Sequence, residues 1–200
     1  MVHLLDCPGF PCDDVDHRRF ALPPFPADPV RLVVVAEAPA ADIRDSFWSP
    51  EEPFYWQTAR RAFVEAGLEL DDPGDLAGHG IYLTTAIKCS KLGYGVSAAT
   101  IAACAERILE QELAALAGAV AIALMGDVAI KALNALARRR GEKRVVPAGP
   151  TWKIRGTYDW NGITVIPSYL FTGRSYLIEA SKREMIAEDL GVALATAGIT

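Results

Sequence analysis

The clearest hydrophobic pattern in the chain is Leu32-Val33-Val34-Val35-Ala36, an unbroken run rich in β-branched residues with no polar alternation. A run of that kind predicts a strand buried on both faces, as in a parallel sheet covered by helices. Pro39 ends it, because proline cannot continue a ladder, so the strand is expected over 31–36. Similar runs predict strands over 81–87 and 119–124. Two more, over 152–158 and 163–166, flank Asn161-Gly162, a hairpin-type turn, and Pro167 closes the second of these strands. Helical spacing of apolar positions alternates with these runs, over 55–67, 98–117, 128–140 and 175–195. Gly67 stops the first of these helices, and Ser97 is placed to cap the second. Strands alternating with helices predict an α/β chain, a three-layer α/β/α sandwich around a central, mostly parallel β-sheet. No repeat and no second composition regime interrupts residues 1–200, so a single domain is expected. Residues 1–29, with Pro8, Pro11, Pro23, Pro24, Pro26 and Pro29, read as an extended arm lying on that domain.

Composition narrows the picture. Hydrophobic residues make up 51% of the chain, which excludes disorder. No apolar run approaches the ~20 residues of a membrane helix. The polar, Pro-rich start lacks the apolar core of a secretory signal, so a cytoplasmic protein is expected. The net charge of -5 means that any nucleic-acid contact must use a local basic patch. Lys88, Lys91, Arg174, Lys182 and Arg183, near the carboxyl ends of the strands, are the residues available for one. No Gly-x-Gly-x-x-Gly follows any strand, which disfavours a dinucleotide-binding oxidoreductase.

Two sets of residues carry chemistry. Glu37 stands where the first strand runs out, and open parallel sheets bind ligands beyond the carboxyl ends of their strands. Strand position alone leaves it either a solvated turn carboxylate or the acid of a site. The connection over 43–56 is rich in rings, including Phe47, Trp48, Phe54, Tyr55 and Trp56, which serve either as packing or as a stacking surface for a flat ligand. The second set is the four cysteines: Cys7 and Cys12 in the arm, Cys89 after a strand and Cys104 on the next helix. In a reducing compartment they are core thiols or metal ligands, and four thiolates suit a [4Fe–4S] cluster or a structural zinc.

Taken in order, these fragments resemble the uracil-DNA glycosylase superfamily, in particular its iron–sulfur branch, from Cys7 to the last helix. The family's Gly-Glu-Ala-Pro-Gly is matched by Ala36-Glu37-Ala38-Pro39-Ala40, and its Asn-x-x-Lys-Cys by Thr85-Ala86-Ile87-Lys88-Cys89. Its strand ending in Leu-Gly is matched by Leu124-Met125-Gly126, and its Thr-Tyr-His-Pro by Thr164-Val165-Ile166-Pro167. The resemblance implies hydrolysis of the N-glycosidic bond of a deaminated or damaged base in DNA, by a monomer. It implies Glu37 as the acidic residue managing water and sugar charge, with Ala38 and Pro39 beside the base. It implies an aromatic stacked on the base, which Phe54 best matches, with Phe47 as rival. It places Thr85 and Ile166 against the base and the 168–174 loop, with Ser168 and Arg174, against the duplex. It also implies Cys7, Cys12, Cys89 and Cys104 as ligands of a [4Fe–4S] cluster, with structural zinc as runner-up.

The chain departs from the pattern at two important places, and the glycines flanking Glu-Ala-Pro are also replaced, by Ala36 and Ala40. Thr85 replaces an asparagine and has one donor where the amide offers paired contacts. Ile166 replaces a histidine and offers no donor to the departing base. A non-catalytic or divergent nucleic-acid or nucleotide-binding relative that kept the fold and the iron–sulfur cluster is the alternative these departures raise.

Overall fold

The structure, a computed structural model, describes residues 12–17, 23, 25–26, 28–47 and 53–199. Five strands form one sheet in the order β3 (Ile81–Thr85), β2 (Leu32–Ala36), β5 (Ala121–Met125), β7 (Ile163–Ser168), β6 (Tyr158–Trp160). The first four are parallel and β6 is antiparallel to β7. The continuous apolar runs are explained by the two faces of this sheet. Val33, Val35, Ile122, Leu124 and Val165 enter one hydrophobic cluster, and Leu32, Val34, Ala123, Met125 and Ile166 enter the other. The first cluster is closed by α3 (Ala98–Cys104), α4 (Glu110–Ala115) and α5 (Asp127–Arg139). The second is closed by α1 (Phe54–Glu65) and α8 (Ala180–Ala197). The expected three layers are present.

A second, two-stranded sheet pairs β1 (Val15–Asp16) antiparallel with β4 (Ser90–Lys91), which fastens the end of the arm to the segment after Cys89. Short helices α2 (Asp75–Gly78), α6 (Thr151–Ile154) and α7 (Arg174–Ile178) complete the order. No helix among the described residues is long and apolar enough to cross a membrane.

Several elements differ from the pattern-based expectation. The strand expected over 152–158 begins as α6, started by Pro150 in an extended conformation, and only Tyr158–Trp160 pairs. The helix expected over 98–117 contains a π-wound segment, Ala105–Leu109, directly after Cys104. The last helix is broken at Glu179, whose backbone is extended, into α7 and α8. Strand β7 runs through Pro167 to Ser168 rather than stopping before it. The backbone groups of Thr164 and Ser168 point toward β5, through Thr164 N–H to the Val120 carbonyl and Gly126 N–H to the Ser168 carbonyl. By alternation Pro167 points to the other side, where β6 pairs only as far as Val165, so its missing N–H interrupts no ladder.

Candidate functional site

Strand order locates the site. From β2 the chain moves outward to β3, then returns to lay β5 on the opposite side of β2. That reversal opens a crevice at the carboxyl ends of β2 and β5, where such sheets bind ligands. Glu37 is the first residue past β2 and its carboxylate lies in this crevice. Its Oε2 accepts from Lys91 Nζ at 2.8 Å, and its Oε1 accepts from the Val128 N–H at 3.4 Å, in the first turn of α5. Gly126, at φ +107°, makes the seat possible: a Cβ there would stand 2.7 Å from Glu37 Oε1 and 2.8 Å from its Cγ.

The backbone around Glu37 is held on both sides. Ala86 N–H donates to the Ala36 carbonyl at 2.8 Å and Ile87 N–H to the Glu37 carbonyl at 3.1 Å, continuing the β2–β3 pairing past the strands. This brings Pro39 beside Thr85, and the two line a small hollow with Pro23, Ser46, Phe47, Leu83 and Thr84. The hollow holds about 20 Å³, room for a water and not for a base. Ala38 is buried next to it.

Phe47, the rival, is therefore the ring at this hollow. Phe54 opens α1 and is half-buried away from it. Phe47 also meets Tyr55 edge-on at 5.7 Å. The sequence did not single out Tyr55 for a role at this place. Burial, and then the negative charges of Asp45 and Glu37, raise its phenol pKa.

Ile166 does not face Glu37 across the crevice. It is 1% exposed, pairs with Ala123 and belongs to the cluster on the α1 and α8 face. Glu37 reaches the other way, to the N-terminus of α5. Two positions on, Ser168 is fully buried, and its Oγ has no hydrogen-bond partner among the described residues. The loop after it is packed rather than projecting. Phe171 is 0% exposed between Phe47 and Phe63, and Gly173 N–H donates to Thr58 Oγ1 at 3.0 Å. Arg174, at the start of α7, is exposed.

Lys88 is not a surface residue. It is 0% exposed, with Nζ bonded to Thr84 Oγ1 at 2.7 Å, to the Thr85 carbonyl, and paired with Glu112 Oε2 at 2.5 Å. Glu112, also 0% exposed, accepts from the Tyr82 hydroxyl at 2.8 Å and from Thr84 at 2.9 Å. Burial and the Glu112 charge push the Tyr82 phenol pKa far up. This network braces the corner that presents Thr85 to the hollow.

Cys12 and Cys89 are buried in one hydrophobic cluster and Cys104 packs against it. Cys7 lies outside the described residues. No group of three or more His, Cys, Asp or Glu side chains able to hold a metal ion occurs among the described residues. What the fold does bring together is the chain around the cysteines. The β1–β4 ladder lays the segment after Cys12 beside the segment after Cys89. Asp14 ties that ladder to the helix bearing Cys104, accepting from Ser97 N–H and from Thr100 Oγ1, each at 2.6 Å.

A larger cavity, about 340 Å³, lies along the outer side of α5 between α3 and the 147–154 segment. None of the residues named from the sequence as site residues lines it.

A family model for the uracil DNA glycosylase superfamily matches residues 23–189. No curated protein matches the chain.

Proposed function

Since the chain belongs to the uracil DNA glycosylase superfamily, we propose that it is a DNA base-excision glycosylase, hydrolysing the N-glycosidic bond of a deaminated or damaged base. The observation that carries this reading is the carboxylate of Glu37 in the switch-point crevice, beside a hollow lined by Pro39, Phe47 and Thr85. A target base must leave the stack to be reached, and a ring such as Phe47 is suited to stack on it. Cleavage leaves a cation-like sugar and an anionic base. Glu37 stabilises the first and orients the water that adds to C1′, while one proton of that water ends on the departed base. With isoleucine at position 166, a donor to the base must come from another group at the crevice. Tyr55, whose phenol packs edge-on against Phe47 at the hollow, is the one best suited.

The same reading includes a [4Fe–4S] cluster held by Cys7, Cys12, Cys89 and Cys104, with structural zinc as the runner-up. Three of these sit in or against one hydrophobic cluster, and thiolates are the ligands both metals take. The metal would supply a cross-link between arm and core. No step of the hydrolysis passes through it.

The non-catalytic alternative is favoured by one observation: the Glu37 carboxylate is already satisfied by Lys91 and the Val128 amide. A panel of single- and double-stranded oligonucleotides, each with one altered base and assayed for abasic-site formation, separates the two. The expected result is turnover on at least one lesion, low on uracil, and a loss of about 10²-fold or more in Glu37→Gln. DNA binding with no turnover on any lesion establishes the alternative.

A further inference from the structure

The loop over 168–174, which the family resemblance sets against the duplex, has its apolar residue Phe171 locked in the core. The exposed apolar residues near Glu37 stand elsewhere, on the loop joining β4 to α3. Leu92 is 65% exposed and Tyr94 is 103% exposed, so the Tyr94 ring does not pack on the protein and Leu92 is covered only in part. Gly93 and Gly95 flank Tyr94, and a side chain added at either would meet nothing within 4 Å. A bare aromatic on a glycine tip contributes nothing to the fold, and exposed apolar groups of this kind mark interaction sites.

The placement of the tip is specific. Lys91, the residue before Leu92, is the one bonded to Glu37 at 2.8 Å. Both ends of the loop are clamped by Asp14: Leu92 N–H donates to its carbonyl at 3.0 Å, and Ser97 N–H to its carboxylate at 2.6 Å. The tip is thus free to adapt while its base is fixed beside the carboxylate. Lys182 Nζ sits 5.4 Å from the ring centre of a second tyrosine, Tyr169. That ammonium, held above its usual pKa chiefly by its hydrogen bond to Glu179, also senses Tyr169 and Tyr94. Lys91 and Lys182 are the cations placed at the tip, each paired with a carboxylate, Glu37 and Glu179 respectively. Rings for base faces and cations for phosphates are the combination that binds unstacked DNA.

We propose that Leu92 and Tyr94 are the base-contacting tip of this protein, Tyr94 stacking on a base next to the one drawn toward Glu37 and Leu92 filling the space left in the stack. The proposal rests on the glycosylase reading for its DNA partner. The test measures binding of a short duplex carrying 2-aminopurine beside an abasic-site analogue, by fluorescence anisotropy and by 2-aminopurine emission. Tyr94→Ala should weaken binding roughly tenfold, the scale of one base–aromatic stack, and should change the emission. Tyr94→Phe should retain both properties, and Leu92→Ala should weaken binding severalfold. Trp152→Ala, which removes an exposed ring on α6, should change neither. Equal affinity and emission in Tyr94→Ala and the parent overturn the proposal while leaving the glycosylase reading in place. A parent protein that binds no DNA even at low salt overturns the reading and the proposal with it.

Discussion

Lys88 and Glu112 are both withdrawn from solvent, and each is tolerable there because of the other. Removing one charge strands its partner in the core, whereas replacing both by apolar groups is often neutral. Lys88→Met is therefore expected to cost about 3–5 kcal/mol. The double variant Lys88→Met/Glu112→Leu should recover much of that loss, as read by urea unfolding. Equal destabilisation in single and double variants would show that the hydrogen bonds from Tyr82 and Thr84 matter more than the ion pair. Ile166 illustrates the opposite case. It pairs with Ala123 and is buried in the apolar cluster between the sheet and α1 and α8, a setting that suits isoleucine.

At the scale of elements, the described part of the arm is attached by burial of Cys12 and Val15 in the core cluster, by Phe25 against Tyr82, by a two-residue ladder, by a backbone bond at Leu92 and by the Asp14 carboxylate. Burial works against ionisation of Asp14, but hydrogen bonds from Thr100 and Ser97 outweigh it and hold its pKa below the ordinary 3.8. A carboxyl depressed in the folded state stabilises that state above its unfolded pKa and ceases to do so as pH falls through the folded value. Arm docking is therefore expected to be full at neutral pH and to weaken below about pH 4. Hydrogen exchange at the Leu92 amide, followed across that range, reads this directly. In Asp14→Asn the exchange should be faster at neutral pH and should lose most of its acid dependence. An unchanged profile would assign the attachment to the ladder and the cysteines instead.

At the scale of the molecule, the arm and the sheet meet where Cys12, Cys89 and Cys104 lie, and the proposed cluster would join them. Protein purified without oxygen should be brown and carry about four irons per chain. Cys104→Ala should lose the iron and expose the arm to proteolysis. Stoichiometric zinc without visible absorbance would assign the site to the runner-up metal. With a net charge of -5, the surface as a whole repels DNA, so any binding must come from the few cations at the carboxyl ends of the strands and must fall steeply with salt.

The layer architecture and the place of Glu37 were legible in the sequence, because both follow from local rules. A β-branched run without alternation can only be a strand covered on two faces, and a proline ends its reach, so the carboxylate after Ala36 had to fall at a strand's carboxyl end. What the side chains do there was a tertiary matter. Lys88 reads as a basic surface residue until the fold buries it against Glu112, a residue 24 positions on in a different element. Phe47 and Phe54 are equivalent rings in the sequence, and the hollow beside Pro39 and Thr85 selects Phe47. Gly126 carries no sign that its missing side chain makes room for Glu37. Tyr94 and Phe171 are both aromatics on short loops at the same end of the sheet. Packing between Phe47 and Phe63 takes Phe171 into the core and leaves Tyr94 in solvent. Periodicity reports which face a residue shares with its neighbours in the chain. Partners from distant segments decide whether that face is covered.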